Sequence, residues 1–357
     1  MKAVVVRPGE KDSIHMRDMP DPEMAGDQIA VKVSRVGLCG TDAEIYHGLY
    51  GRAPEGEDLL ILGHENVGIV AAAGARTSGF APGDVVVSTV RRPCGQCGNC
   101  EAGQNDCCSS GLYTERGIRG LHGFMAEYYA EHPQYLVRVP PDLEPLAVLL
   151  EPLSVVEKGI DHAFLIQRRL VWRPRLAVVL GAGAVGLLAA AALLTRGMRT
   201  VVVSREPEAH MRADAARGLG AEYASLATGT VLDLPERIGS PDLVLEATGS
   251  AQVAFDAMEI LPPNGVLCLL SVTSGAGTHD EPIARINRAL VLGNRVVFGS
   301  VNANRRYFAR GLEDMARTEA RAPGALNRLL TNGIPWQDFK TWFTQRGPGI
   351  KTTLEIG

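Results

Sequence analysis

The sequence predicts an α/β chain in two parts: a compact β-rich domain bearing metal-type residues, then a doubly wound parallel sheet with helices packed on it. Three observations lead there. Residues 176–194 read LAVVLGAGAVGLLAAAALL, an apolar strand run, a G-x-G-x-x-G turn and an Ala/Leu-rich helix. Strand and helix patterns alternate beyond that point, as a parallel sheet requires. Ahead of it, about 140 residues carry β-branched runs cut by Gly, Pro and Asp, and five of the seven cysteines crowd into residues 94–108.

In chain order, the β-branched runs place strands at 2–7, 28–35, 66–73, 85–89 and 125–129, with Pro82-Gly83-Asp84 as a turn before Val85. From Glu144 to Phe164, Leu146, Leu149, Leu150, Leu153 and Val156 recur at helical spacing and predict a connecting helix. Strands follow at 176–180, 200–204, 243–247, 266–271 and 295–301, with helices at 185–195, 208–219 and 251–260 between them. Residues 305–318 and 325–330 read as helical, and 351–356 as a last strand. The expected domains are 1–150, 151–303 and a 304–357 segment returning to the first domain.

Composition sets the broad class. The chain has 357 residues, suggesting about two domains. It is 46% hydrophobic and 21% charged, with formal net charge −4, which offers no electrostatic case for nucleic acid or an anionic membrane surface. The first residues lack an apolar stretch of signal-peptide length, so a cytoplasmic protein is expected. The 19-residue apolar run is long enough for a membrane span. A buried parallel strand followed by a core helix gives the same run, and no second such segment exists.

In that run, Gly181 allows a tight turn, Gly183 lets backbone approach a pyrophosphate, and Gly186 lets the helix pack against the strand. The free N–H groups around Ala184 and Val185 then face the phosphates. A ligand-free structural turn is the plainer alternative. The second strand ends Val203-Ser204-Arg205-Glu206. A hydroxyl and an arginine at that tip lean towards NADP over NAD, with Ser204 and Arg205 on the 2′-phosphate, while Glu206 pulls the other way.

Cys94, Cys97, Cys100 and Cys108 stand in C-x2-C-x2-C-x7-C spacing, which suits a closed zinc site of four thiolates. Free buried thiols and an iron–sulfur cluster are the competing readings. Cys107 is an alternative fourth ligand, less suited by spacing. A second set is dispersed: Cys39 in Cys-Gly-Thr-Asp, His64 and Glu65 in Gly-His-Glu-Asn-Val-Gly, and Glu151 opening Glu-Pro-Leu-Ser. One thiolate, one imidazole and one carboxylate suit a catalytic zinc with an open position. Taken singly, each is as easily a core cysteine, a hydrogen-bonded histidine or a solvated acid.

These motifs, in this order, resemble the zinc-dependent medium-chain alcohol dehydrogenases, and CGTDAEIYHGLYG, YTERGI with HGFMAEY, EPLSVVEK and GSVN resemble their glucose dehydrogenase branch. The resemblance implies a GroES-like catalytic domain, a Rossmann domain, and oxidation of an aldose, foremost D-glucose at C1, to the lactone with NAD or NADP. It implies Cys39, His64, Glu65 and Glu151 at a catalytic zinc and the four cysteines at a structural one. It also implies Thr41 as a proton-passing hydroxyl, Glu115, Glu151 and Asn302 as sugar contacts, and Thr248 and Asn302 beside the cofactor. A homodimer or homotetramer through the 295–301 edge is implied as well. Three positions depart from the pattern: Glu44 replaces a relay histidine, and Leu292 and Val90 stand where some members place polar sugar contacts. Rival readings are a polyol or amino-alcohol dehydrogenase, a non-catalytic NADPH sensor, and a zinc-ribbon nucleic-acid binder. The acidic net charge disfavours the last.

Overall fold

The computed structural model describes residues 1–273, 282–345 and 347–356. The chain divides into two compact units. The first holds Met1–Ser154, Asn302–Leu312 and Leu330–Gly357; the second holds Val155–Val301 and Glu313–Leu329. The segment after residue 304 is thus shared. Its two flanks join the first unit, while Glu313–Leu329 joins the second.

The first unit is built on a seven-stranded sheet around the strand Ile29–Leu38. That strand alternates Ile29, Val31 and Val33 inward, shifts register between Val33 and Arg35, and is flanked antiparallel by Glu65–Ala73 and Lys351–Glu355. Val85–Ser88 and Leu136–Arg138 extend one side, and Leu330–Pro335 the other. A three-stranded sheet of Lys2–Val6, His15–Asp18 and Leu60–Ile61 packs its apolar residues into the same core, with Ile45, Phe124, Met125 and Leu354. Residues 125–129 supply only the start of a strand, observed at Tyr128–Glu131. Pro145 lacks an N–H to give a helix, and Pro141–Leu149 is 3-10; the α-helix runs over Leu150–Gln167.

The second unit is a six-stranded parallel sheet. Its spatial order is Glu222–Ser225, Arg199–Ser204, Leu176–Leu180, Leu243–Glu246, Val266–Leu269, Val296–Gly299. Numbered from Leu176–Leu180, that is 3-2-1-4-5-6, the doubly wound order of dinucleotide-binding sheets. Leu176–Leu180 is buried throughout because neighbours flank it on both sides and helices cover it. The apolar 176–194 run is split into this strand and the helix Ala184–Thr195. Among the described residues no helix is long and apolar enough to cross a membrane. Sequence patterning missed the short polar edge strand Glu222–Ser225 and the helix Ile283–Leu292. Residues 325–330, expected to be helical, make one 3-10 turn and enter the strand Leu330–Pro335.

Candidate active site

Strand ends and turns bring the dispersed residues together. Cys39 caps the helix Gly40–Tyr46 immediately after Ile29–Leu38, and His64 and Glu65 stand at the start of the adjacent strand. One ligand atom from each of Cys39, His64 and Glu65 lies within 4.8 Å of the others, with Cys39 Sγ 3.0 Å from His64 Nε2. Asp42 is fully buried; its Oδ2 accepts from Cys39 N at 2.9 Å and its Oδ1 faces His64 Nδ1 at 3.5 Å. A carboxylate on Nδ1 favours the tautomer that leaves Nε2 as a lone-pair donor toward the cluster.

Lys351 completes the group. It is buried, pairs with Glu65 Oε2, and donates to Leu38 O at 3.1 Å. Gly37 makes room for this pair, since a Cβ there would lie 2.1 Å from Glu65 Oε2. Burial works against a charged His64, yet the Cys39 and Asp42 charges outweigh it and hold its pKa well above the ordinary value. Burial pushes Glu151 up to about 7, with the neighbouring Glu65 charge adding to the effect. The site therefore favours added positive charge. A half-buried thiol with a buried imidazole and a buried carboxylate, three donors of the kinds zinc takes, fit a catalytic zinc ion. Glu151 is buried nearby but is not among the converging atoms. Thr41 lies half-buried in the first turn of the Cys39-capped helix.

Cys94, Cys97, Cys100 and Cys108 form the other convergent group; Cys107 is not in it. Their sulfur separations include 3.3 Å, 3.8 Å and 4.0 Å. A tetrahedral zinc with bonds of about 2.3 Å places its sulfurs about 3.8 Å apart. A backbone hydrogen bond from Ser109 is the main reason the Cys97 thiol falls to about 5, and the Ser110 hydroxyl lowers Cys108 to about 7. Those donors prepare thiolates at Cys97 and Cys108, while burial pushes the Cys100 thiol up to about 12; the four converging sulfurs fit a closed structural zinc.

Glu115 and Asn302 meet directly, Asn302 Nδ2 donating to Glu115 Oε1 at 2.8 Å. Asn302 adopts φ +62°, a left-handed conformation asparagine tolerates, and its Oδ1 accepts from Ala303 N.

In the second unit, Gly181 has φ +110°, and a Cβ there would lie 2.8 Å from Ala247 O. A Cβ on Gly186 would lie 1.9 Å from Gly181 O, so the helix can approach the strand only as glycine. Gly183 opens on empty space and caps the helix Ala184–Thr195 without a side-chain hydrogen bond. Free N–H groups at Ala184 and Val185, in a cradle cleared of side chains, fit a dinucleotide pyrophosphate. Ser204 ends the second strand, its Oγ accepting from Glu206 N at 3.4 Å, and Arg205 is exposed beside it. Thr248 N and Oγ1 both donate to the buried Glu246 carboxylate, at 2.6 and 2.5 Å.

Sequence reasoning gave no role to Lys351, Asp42 or Arg91. Asp42 was visible within Cys-Gly-Thr-Asp, three residues past the thiol it serves. Lys351 carried no local signal, because its partners lie more than 280 residues away. Arg91 reads in sequence as half of a basic pair.

Fold and site together define an oxidoreductase scaffold of the zinc alcohol dehydrogenase type, and residues 25–141 match the alcohol dehydrogenase GroES-like domain. The chain belongs to the glucose dehydrogenase family: residues 144–356 match the glucose dehydrogenase C-terminus, and full-length relatives align throughout. Glucose 1-dehydrogenase of Methanocella arvoryzae is 42% identical over 358 residues, covering 100% of both chains. Glucose 1-dehydrogenase 1 of Caldivirga maquilingensis is 43% identical, covering 100% of this chain and 99% of its own. Among solved structures, Haloferax mediterranei glucose dehydrogenase in complex with NADP, Zn and gluconolactone superposes with TM-score 0.90 at 35% identity, covering 100% and 99% of the two chains.

Proposed function

We propose that this chain oxidises an aldose, D-glucose first, at C1 to the lactone, using zinc and NADP. The observation that carries the reading is the convergent Cys39–His64–Glu65 group in a chain that aligns end to end with glucose 1-dehydrogenases. Zinc in that group supplies Lewis-acid polarisation of the substrate hydroxyl, and the nicotinamide accepts the hydride.

The chain's own residues do the rest. Cys39, His64 and Glu65 hold the metal, with Glu151 as an exchangeable carboxylate beside them. Asp42 orients His64, and Lys351 offsets the negative charge of the ligands. Thr41 takes the proton of the reacting hydroxyl. Glu115 and Asn302 bind ring hydroxyls, and Asn302 also borders the nicotinamide. Gly181, Gly183, Ala184, Val185 and Gly186 seat the pyrophosphate, Thr248 lines the cofactor, and Ser204 with Arg205 takes the 2′-phosphate. Cys94, Cys97, Cys100 and Cys108 hold a second zinc that shapes the lobe.

The test is a panel of aldoses, polyols and simple alcohols assayed with NAD and NADP side by side. Glucose with NADP should give the highest kcat/KM. A clear preference for a polyol or an amino alcohol would overturn the sugar assignment; Leu292, exposed on its helix, and Val90 are the departures that make those substrates worth including. Replacing Cys39 by Ser should abolish turnover and leave one zinc per chain. Undiminished turnover with two zinc ions would remove Cys39 from the metal site.

We also propose a cytoplasmic homodimer or homotetramer. Val296–Gly299 is an edge strand, and Ile283, Val291, Leu292 and Val301 are large exposed hydrophobic residues on the chain before and after it.

A further inference from the structure

Glu115 and Asn302, the pair assigned above to sugar hydroxyls, are tied to the cysteine lobe by a circuit of side chains. Glu115, on Thr114–Arg116, lies directly across from Arg91 in an antiparallel pair. Residues so placed share a face and interact. Arg91 Nε and Nη2 donate to Glu115 Oε1 at 3.2 and 3.0 Å, and Asn302 Nδ2 donates to the same oxygen. With three donors gathered on Oε1, the second carboxylate oxygen is left to accept a hydroxyl.

The guanidinium reaches further. Arg91 Nη1 donates to Asp106 O at 2.5 Å, and its plane lies 4.0 Å over the Tyr113 ring. Asp106 belongs to the turn Asn105–Cys107, directly before Cys108. Asp106 Oδ1 accepts from Asn304 Nδ2 at 2.7 Å. Asn304 is two residues past Asn302, so the circuit returns to the Glu115–Asn302 pair through the backbone of Ala303. Glu115, Asp106 and Asn302 are each more than nine-tenths buried, where an ill-placed polar group is costly.

We propose that Arg91, Asp106 and Asn304 are positioning residues that lock the Glu115–Asn302 pair to the four-cysteine lobe, so that the lobe sets sugar affinity as well as local stability. This rests on reading Glu115 and Asn302 as hydroxyl-binding residues. A lysine at 91 would not serve, because one ammonium cannot bridge a carboxylate and a carbonyl as a planar fork does.

The test is a double-mutant cycle on the holoenzyme. Glucose KM, kcat and NADP KM are measured for the parent, Asn304→Ala, Glu115→Gln and the double variant, with zinc content and calorimetric glucose binding alongside. Asn304→Ala should raise glucose KM and the calorimetric Kd about tenfold, on the scale of one charge-assisted hydrogen bond. Over the same change, kcat, NADP KM and zinc content should stay within about twofold. In the Glu115→Gln background it should add less than about twofold, because residues acting through one group are not additive. Arg91→Lys, taken through the same cycle, answers the question if Asn304→Ala fails to fold. An equal rise in both backgrounds overturns the proposal, as does no rise where Glu115→Gln itself raises KM; either leaves the sugar reading standing. An unchanged KM in Glu115→Gln removes the sugar reading and this proposal with it.

Discussion

Gly186 shows how a single missing atom governs the nucleotide unit. A Cβ there would sit 1.9 Å from Gly181 O. Gly186→Ala must push the helix off the strand. We expect a loss of about 1–3 kcal/mol of stability, as overpacking costs elsewhere, together with a raised NADP KM; thermal unfolding and steady-state kinetics check both. Arg205 is exposed and free to reach a phosphate. Arg205→Ala should weaken NADP by about tenfold or more, the scale of a charged phosphate contact, and leave NAD almost untouched; equal losses for both cofactors would exclude the 2′-phosphate role. At this scale the sequence is legible wherever one short motif holds both a residue and its reason. Gly181, Gly183 and Gly186 lie in one turn, and the four clustered thiols lie in one loop. Lys351 and Arg91 were illegible because what gives them meaning is a partner that only folding brings near.

Helices of the second unit are held together by two buried acids that share one arginine at the surface. Arg196, at the C-terminal end of Ala184–Thr195, pairs with Glu157 Oε2 at 2.6 Å and with Asp314 of the helix Arg305–Arg321. Burial pushes Glu157 up to about 8, and Asp314 facing it adds to the effect. An acid whose pKa is raised by folding binds more protons folded than unfolded. The folded state is therefore favoured most at low pH and loses stability as pH climbs from the ordinary carboxylate range through about 8. Glu157→Gln should flatten that fall, so its Tm advantage over the parent grows between about pH 5 and pH 8. A parallel pair of Tm curves would refute the assignment. Arg196→Met leaves two acids without their cation and should cost about 3 kcal/mol or more in denaturant unfolding. Elements themselves were legible where apolar period and length agreed, as in Leu176–Leu180 and Ala251–Ile260. Glu222–Ser225 escaped because an edge strand buried on little of its surface needs no apolar alternation.

For the molecule as a whole, both folds were foreseeable from the motif order, since a strand–helix alternation admits few topologies. The division of the tail was not foreseeable, because no composition change marks Leu312 or Leu330. The proposed assembly gives a further check. Paired changes Val291→Lys and Leu292→Lys should lower the sedimentation mass of the native species to that of one chain, whereas an unaltered mass would move the interface elsewhere. The two metal-type centres also differ in how much polypeptide must exist before each can close. The four thiols fall within fifteen consecutive residues. The Cys39 pocket waits for Lys351, which binds the carbonyl of Leu38 from 313 positions downstream. A nascent chain emerging from the ribosome thus holds all four thiols of the cysteine loop within a short stretch, while the Cys39 pocket lacks its buried cation until translation has passed that lysine.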